Sequence, residues 1–281
     1  MKLSIIISTL NRIKEPLLML DSLTNQSFKD FEVLLIDQNE EAILDENLRK
    51  YFELLSLKHI KSDIKGASNA RNIGIKQAKG ELLSFPDDDC EFNITFLEDI
   101  YTYFKNNSFD GIVTTSKDRF DGKAISILMS SKSQPIQRKN ILKTVVEFGI
   151  IVRKNKIKNV LFDPDMGVGS PNSPYWSDEG PDFILRLIKE GLSFNYCPQF
   201  YIFHPNPVKK YNLKTTIRSY QYGKGRGYFL KKHNFGKRAI LYYLFIYIIG
   251  MLKGLVFFNR FMFLYFKEGF KGRYEGYFRS K

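Results

Sequence analysis

Three consecutive carboxylates, Asp87-Asp88-Asp89, follow the apolar run 81–85 and are the residues of this chain best placed to do chemistry. Adjacent like charges repel one another and are costly to take out of water. A strand end tolerates them if they stay solvated or if a cation neutralises them. Oxygen ligands on a hard divalent ion would do the second. An acidic turn is the other reading, and position alone leaves both open.

The elements that must position these carboxylates read as alternating strands and helices. Residues 3–8 and Phe31–Asp37 are β-branched or apolar runs, and 57–60 and 81–85 are shorter ones. Between them, 15–26 carries Leu17, Leu20 and Leu23 on one helical face, with Pro16 tolerated in the first turn. Helical patterns also cover 41–55 and 67–78, the latter closed by Gly80. Strands separated by helices of this length make βαβ units and a parallel sheet. Ligands bind such sheets beyond the carboxyl ends of the strands. Thr9, Asn11, Asp37 and Asp87–Asp89 all fall there, on one rim. Further on, 93–105 reads as a helix, 110–115 and 144–152 as strands, and 182–189 as a helix. Two short strands follow, 194–197 and 200–203, and 162–180 reads as a long loop containing Gly167-Val168-Gly169-Ser170-Pro171.

The chain has 281 residues, enough for one large domain or one domain with an appendage. Its two cysteines, Cys90 and Cys197, form no metal-type pair and suggest a reducing compartment. The N-terminal apolar run is too short for a signal peptide, so the active end is expected to face the cytoplasm. The net charge of +13 is unevenly spread. Residues 207–281 carry 17 Lys and Arg against two acids, Glu268 and Glu275, and 20 of the 41 Phe and Tyr. The remainder is close to neutral.

The ordered motifs resemble glycosyltransferase family 2, with its nucleotide-binding GT-A fold. Ser4 to Arg12 looks like the family's opening strand and nucleotide loop, and Ser22-Leu23-Thr24-Asn25-Gln26 like the end of its first helix. Residues 33–37 look like the second strand with its base-binding acid. Gly66-Ala67-Ser68-Asn69-Ala70-Arg71-Asn72-Ile73-Gly74 matches the Gly-x-x-x-Ala-Arg-Asn-x-Gly segment, and Asp87-Asp88-Asp89 the Asp-x-Asp site. Asp178-Glu179-Gly180-Pro181-Asp182 with Arg186 looks like the acceptor-side acidic motif, and His204-Pro205 like the close of the catalytic domain. The resemblance covers about residues 1–205.

The resemblance implies an α/β GT-A fold, a Rossmann-like mixed sheet flanked by helices. It spans 1–206, a nucleotide-sugar half to about 115 and an acceptor half after it. The implied reaction is inverting transfer of one sugar from a nucleotide-sugar, a UDP-sugar by preference, to a glycan or lipid-linked oligosaccharide, in bacterial cell-surface polysaccharide or glycoconjugate synthesis. Asp89 is the expected ligand of a divalent metal, Mn²⁺ or Mg²⁺, joined by Asp87 and His204. Thr9, Asn11, Arg12, Asp37, Arg71 and Asp87 are the expected nucleotide-binding residues. Asp88 is expected to point away if strand alternation continues. The family's usual Glu-Asp-x-Asp is here Glu179-Gly180-Pro181-Asp182, so Gly180 stands at the usual position of the base. Glu179 is then the first choice of general base, with Asp182 second or else a helix cap.

The tail, 207–281, holds a 14-residue uncharged run at 239–252, shorter than the roughly 20 residues of a spanning helix. With Lys/Arg flanks and many aromatics it is read as monotopic, placing the protein on the cytoplasmic face of an anionic membrane. Packing on the domain or against a second copy is the alternative. No Gln-x-x-Arg-Trp motif is present, which argues against a processive synthase. A nucleic-acid partner is disfavoured because a phosphate-tracking surface would not carry such an uncharged core. A non-catalytic nucleotide-sugar binder stays open because of the altered acidic motif.

Overall fold

A computed structural model describes residues 1–120, 122–124, 129–169, 174–206, 208 and 210–280. The chain divides into two compact units: Met1–Phe162 with Gly180–Asn206, and Asp163–Glu179 with Pro207–Lys281.

The first unit is built on β1 (Leu3–Thr9), β2 (Phe31–Asp37), β3 (Leu57–Lys61), β4 (Leu82–Ser84), β5 (Gly111–Lys117), β6 (Gln134–Pro135), β7 (Ile150–Arg153) and β8 (Phe194–Phe203). Among the described residues these form one sheet in the order β3-β2-β1-β4-β7-β5-β8-β6. β3, β2, β1 and β4 are mutually parallel, and β7 runs antiparallel to both β4 and β5. The sheet is therefore mixed, the GT-A type of α/β architecture. Helices α1 (Lys14–Thr24), α2 (Asp45–Leu54), α3 (Ala67–Gln77) and α4 (Phe96–Asn106) supply the crossovers, and α5 (Lys154–Ile157) is a single turn after β7. β1 and β2 are almost wholly buried, as expected for strands covered on both faces. Leu20, Leu23, Leu44 and Leu48 join Ile5, Ile7, Val33 and Leu35 in one core.

Register carries this order to the rim. Thr9 pairs with Asp37 at the ends of β1 and β2, and Ser8 bridges Asp87 just beyond β4. Three local expectations are corrected. The two short strands after 193 are one strand, β8, whose partners on β5 slip between Thr114 and Thr115. Pro198 sits inside that slip, where a missing amide donor breaks no regular ladder bond. Residues 144–152 hold a short 3₁₀ turn, Glu147–Gly149, before β7 begins. Helix α6 (Glu179–Lys189) starts earlier than expected, with Pro181 inside its first turn, where its missing N–H leaves no helical bond unmade.

The second unit contains α7 (Leu213–Lys232), α8 (Lys237–Val256) and α9 (Arg260–Phe278). Asn212 caps α7 through a reciprocal capping box with Thr215. Asp178 accepts two bonds from Arg226 on α7, at 2.7 and 2.8 Å, and Tyr175 stacks on Tyr228. Of the loop expected at 162–180, residues 170–173, which include Ser170 and Pro171, lie outside the described residues.

Candidate active site

The carboxylates leave the strand pattern immediately. β4 ends at Ser84, and the Cys90 amide donates to the Asp87 carbonyl across a turn at 3.1 Å. Side-chain alternation therefore stops before Asp88, and Asp88 does not point away. Its Oδ2 accepts from Thr9 Oγ1 at 2.8 Å and its Oδ1 from Arg12 Nη1 at 2.6 Å. The same Arg12 nitrogen donates to Asp89 Oδ2 at 2.9 Å. Arg12 thus sits between two of the three acids, and Thr9 is tied to the middle one.

The third acid has its own cation. Helix α3 opens at Gly66, whose φ of 112° suits glycine. Gly74 lies so close to β1 that a Cβ there would fall 2.2 Å from Ile6 Cγ2. These two glycines press α3 onto the sheet and deliver Arg71, only 2% exposed, to Asp87, with Nη2 2.8 Å from Oδ1. The neighbouring Asn72 exchanges two hydrogen bonds with the Phe162 backbone, both 2.8 Å.

His204 arrives from the far side of the sheet. Phe203, the last residue of β8, exchanges backbone bonds with Glu91 at 2.9 and 3.0 Å, which brings the next residue to the carboxylate turn. Phe148 stacks on the His204 ring at 4.5 Å with an interplanar angle of 10°. His204 Nδ1 lies 2.7 Å from the Pro205 carbonyl, and since a carbonyl only accepts, that nitrogen carries the proton. Nε2 then faces Asp89 Oδ1 at 3.2 Å and Asp87 Oδ2 at 3.8 Å.

This donor set fits a divalent cation. One ligand atom each from Asp87, Asp89 and His204 lie within 4.8 Å of one another. Asp89 Oδ1 is buried and, although within ion-pair reach of His204, has no hydrogen-bond partner of proper geometry. Two carboxylate oxygens suit Mg²⁺ or Mn²⁺, and the imidazole nitrogen tilts the set toward the softer Mn²⁺. The carbonyl that fixes the His204 tautomer is the kind of outer partner metal-ligating histidines keep.

Burial and neighbours split the two inner acids. Burial pushes Asp89 upward, but His204 and Arg12 outweigh it and hold the carboxyl at about 2. Burial dominates at Asp88 and lifts it to about 6, against the pull of Arg12 and Thr9. Burial would lower His204, yet Asp89 and Asp87 raise it above the ordinary imidazole value.

Asp37 is fully buried at the end of β2. Its Oδ1 accepts from the Asn39 backbone at 2.9 Å and side chain at 2.7 Å, and its Oδ2 meets His59 Nε2 and Lys61 Nζ, both at 2.8 Å. Asn39 in turn accepts from the Asn11 amide at 2.6 Å, with Asn11 at a left-handed φ of 56°. Asp37 and Asn11 are thus joined through Asn39, a link the sequence reading missed. The only available signal was the alternation of His59 and Lys61 along β3. Burial raises Asp37, but the bonds from His59, Lys61 and Asn39 win and hold it at about 2. A carboxyl depressed on folding contributes stability that is complete above its unfolded value, about 4, and is lost as pH falls toward 2. Denaturant titrations across that window should show a shallower acid limb in Asp37→Asn than in the parent chain.

The acids at the start of α6 are differently placed. Asp182 lies one turn inside the helix and does not cap it. Its Oδ2 accepts from Arg186 Nε at 2.8 Å and it is fully buried. Glu179 is buried at the first position of α6, and the unit division falls immediately after it. Gly180 cannot accept a side chain: a Cβ there would lie 2.9 Å from Glu147 Cγ and 3.0 Å from its Cα. Glu147, unmentioned by the motifs, fills the space that a residue other than glycine would need.

The geometry thus gathers Thr9, Arg12, Arg71, Asp87, Asp88, Asp89 and His204 into one charged cluster, with Asn11 and Asp37 beside it on the rim.

The chain is similar to known glycosyltransferases in sequence and in fold. The poly(ribitol-phosphate) beta-N-acetylglucosaminyltransferase TarP of Staphylococcus aureus is 29% identical over 165 residues, 57% of this chain and 46% of the relative. The chain therefore spans less than half the length of that curated relative. The crystal structure of S. aureus TarS 1–349 in complex with UDP-GlcNAc superposes with a TM-score of 0.61 at 17% identity, over 98% of this chain and 91% of that one. The mannosyltransferase PcManGT of Pyrobaculum calidifontis, solved with GDP-Man and Mn²⁺, superposes with a TM-score of 0.58 at 15% identity, over 79% of this chain and 62% of that one. At these identities the two structures establish the GT-A fold. The sequence model of glycosyl transferase family 2 matches residues 4–159, more than half of the chain, and the protein belongs to that family.

Proposed function

We propose that the protein transfers one sugar from a UDP-sugar to a hydroxyl group of a glycan or lipid-linked oligosaccharide, with inversion at the anomeric carbon, in the synthesis of a cell-surface polysaccharide or glycoconjugate. The observation that carries this reading is the convergence of Asp87, Asp89 and His204 at the rim of the parallel strands. UDP is preferred because the TarS structures superposed on this chain were solved with UDP and UDP-GlcNAc. An acceptor on a hydroxyl-rich polymer is supported by the poly(ribitol-phosphate) named for TarP, and a lipid-linked one by the undecaprenol-linked oligosaccharide named for a Campylobacter jejuni glucosyltransferase 27% identical to this chain.

In this reading Asp87, Asp89 and His204 hold a divalent cation, which when bound supplies Lewis-acid stabilisation to the diphosphate as it leaves. Thr9, Asn11 and Asp37 line the nucleoside end. Asp37 keeps its four donors and acts by fixing Asn39 and the β2–β3 rim. Arg12 and Arg71, cations on the carboxylate turn, face the diphosphate, where a guanidinium suits phosphate oxygens. The acceptor oxygen attacks the anomeric carbon, the bond from that carbon to the diphosphate breaks, and the acceptor proton passes to a carboxylate. Glu179 is the proposed base, because it is the carboxylate adjoining Gly180, which stands at the family's usual position of the base.

The test is nucleotide release from a panel of UDP-, GDP- and dTDP-sugars with Mn²⁺. Turnover of one UDP-sugar, lost on chelation of the metal, is the expected result. Release confined to another nucleotide would overturn the UDP assignment, and donor binding without release in the presence of acceptor extracts would turn the chain into a binder.

A further inference from the structure

We propose that α8 and the turn into α9 form a docking surface for an anionic phospholipid membrane, a role that goes beyond the transfer reaction and does not depend on it. The amphipathicity of α8 is inverted. Its buried residues are Ile240, Leu244, Gly250 and Gly254, and at the last two it meets α9, where Phe266 lies against Gly250 and Phe263 against Gly254. The opposite side, which an ordinary surface helix fills with charge, carries Leu241, Phe245, Ile248, Leu252 and Leu255 at alternating spacings of four and three. They are 58%, 60%, 40%, 55% and 56% exposed. A contiguous apolar face of this kind marks an interaction site.

The turn continues it. Phe257 is 70% and Phe258 96% exposed, and Phe258 takes a φ of 49°. A bulky residue is a rare choice at a left-handed position that glycine or asparagine fills without strain. Two exposed phenylalanines at a turn tip fit insertion among acyl chains.

Charge selects lipid over a second copy of the chain. Lys237 and Arg238 precede the face, Lys253 interrupts it and Arg260 follows it, while no Asp or Glu occurs between residues 191 and 267. Two copies meeting through this face would juxtapose cations with no acid to pair them. Anionic headgroups pair with all four. The packing also sets the orientation. α8 is long and apolar enough to cross a bilayer, but its antiparallel partner α9 carries Lys267, Glu268, Lys271, Arg273 and Glu275. A spanning α8 would draw those charges into hydrocarbon at about 2.5–3.5 kcal/mol each near the centre. The helix therefore lies in the interface plane with its exposed face down.

Sedimentation of the full chain with vesicles tests this without donor or acceptor. The protein should partition onto phosphatidylglycerol–phosphatidylcholine vesicles and not onto phosphatidylcholine alone, and less so as salt rises. Leu252→Glu, and separately Phe257→Ser with Phe258→Ser, should each weaken partition by at least about tenfold with an unchanged circular dichroism spectrum, since these side chains are exposed. Partition equal on both vesicle types, or undiminished in both variants, overturns the proposal. So does a chain that ignores vesicles and sediments as a dimer that Leu252→Glu dissociates, which would make the face a contact between copies.

Discussion

Asp89→Asn is expected to lower UDP-sugar turnover by roughly a thousandfold, the equivalent of about 4 kcal/mol of lost stabilisation of the leaving diphosphate. Asp89 is held ionised, at about 2, with one buried oxygen lacking a hydrogen bond. Asparagine keeps its shape and removes its charge. The fold should tolerate the change, because Arg12 is partly exposed and retains Asp88 as partner. Mn²⁺ affinity measured by calorimetry should fall with the rate, while the thermal midpoint moves by only a few degrees. Unchanged Mn²⁺ affinity in Asp89→Asn would remove it from the ligand set. Asp88→Asn makes the contrast: Thr9 keeps an acceptor, only the Arg12 ion pair is lost, and Mn²⁺ affinity should stay near the parent value.

Most of this rim was legible because it depends on pattern. Apolar runs with helices between them give parallel strands, and parallel strands put Thr9, Asp37 and the acidic triplet at one end whatever the tertiary detail. The Gly66–Gly74 segment also has a physical content that only the folded chain displays, since Gly66 needs its positive φ and Gly74 its contact with Ile6. What sequence reading missed depends on where regularity stops. Strand alternation turns Asp88 away, but the strand ends four residues before it. Pro198 reads as a break in β8, whereas a register slip accommodates the proline without ending the strand. Asn39 closes a local Asx turn on Asp37, but His59 and Lys61 reach it from β3, and no spacing rule predicts a contact that two separate segments assemble. The departure at Gly180 is similar. In sequence it reads as a lost carboxylate. In the structure it is a position that the Glu147 backbone and side chain leave no room to fill.

Glu179→Gln and Asp182→Asn are expected to separate into a rate effect and a stability effect. Asp182 is fully buried with Arg186 donating to it at 2.8 Å, so its charge is committed within α6. Arg186 is partly exposed, so removing its partner costs less than the loss of one member of a fully buried pair. The expected signature of Asp182→Asn is a thermal midpoint lowered by several degrees, with turnover per folded molecule reduced much less. Glu179 occupies the first position of α6, and glutamine preserves its length and one accepting oxygen while removing the charge and the basicity. Losing a general base removes about 10²–10⁴ of rate, so Glu179→Gln should retain its midpoint and its UDP affinity while nucleotide release with acceptor falls in that range. If Glu179→Gln leaves turnover intact, Glu147 becomes the next acid to substitute, because its side chain packs against Gly180, immediately after Glu179.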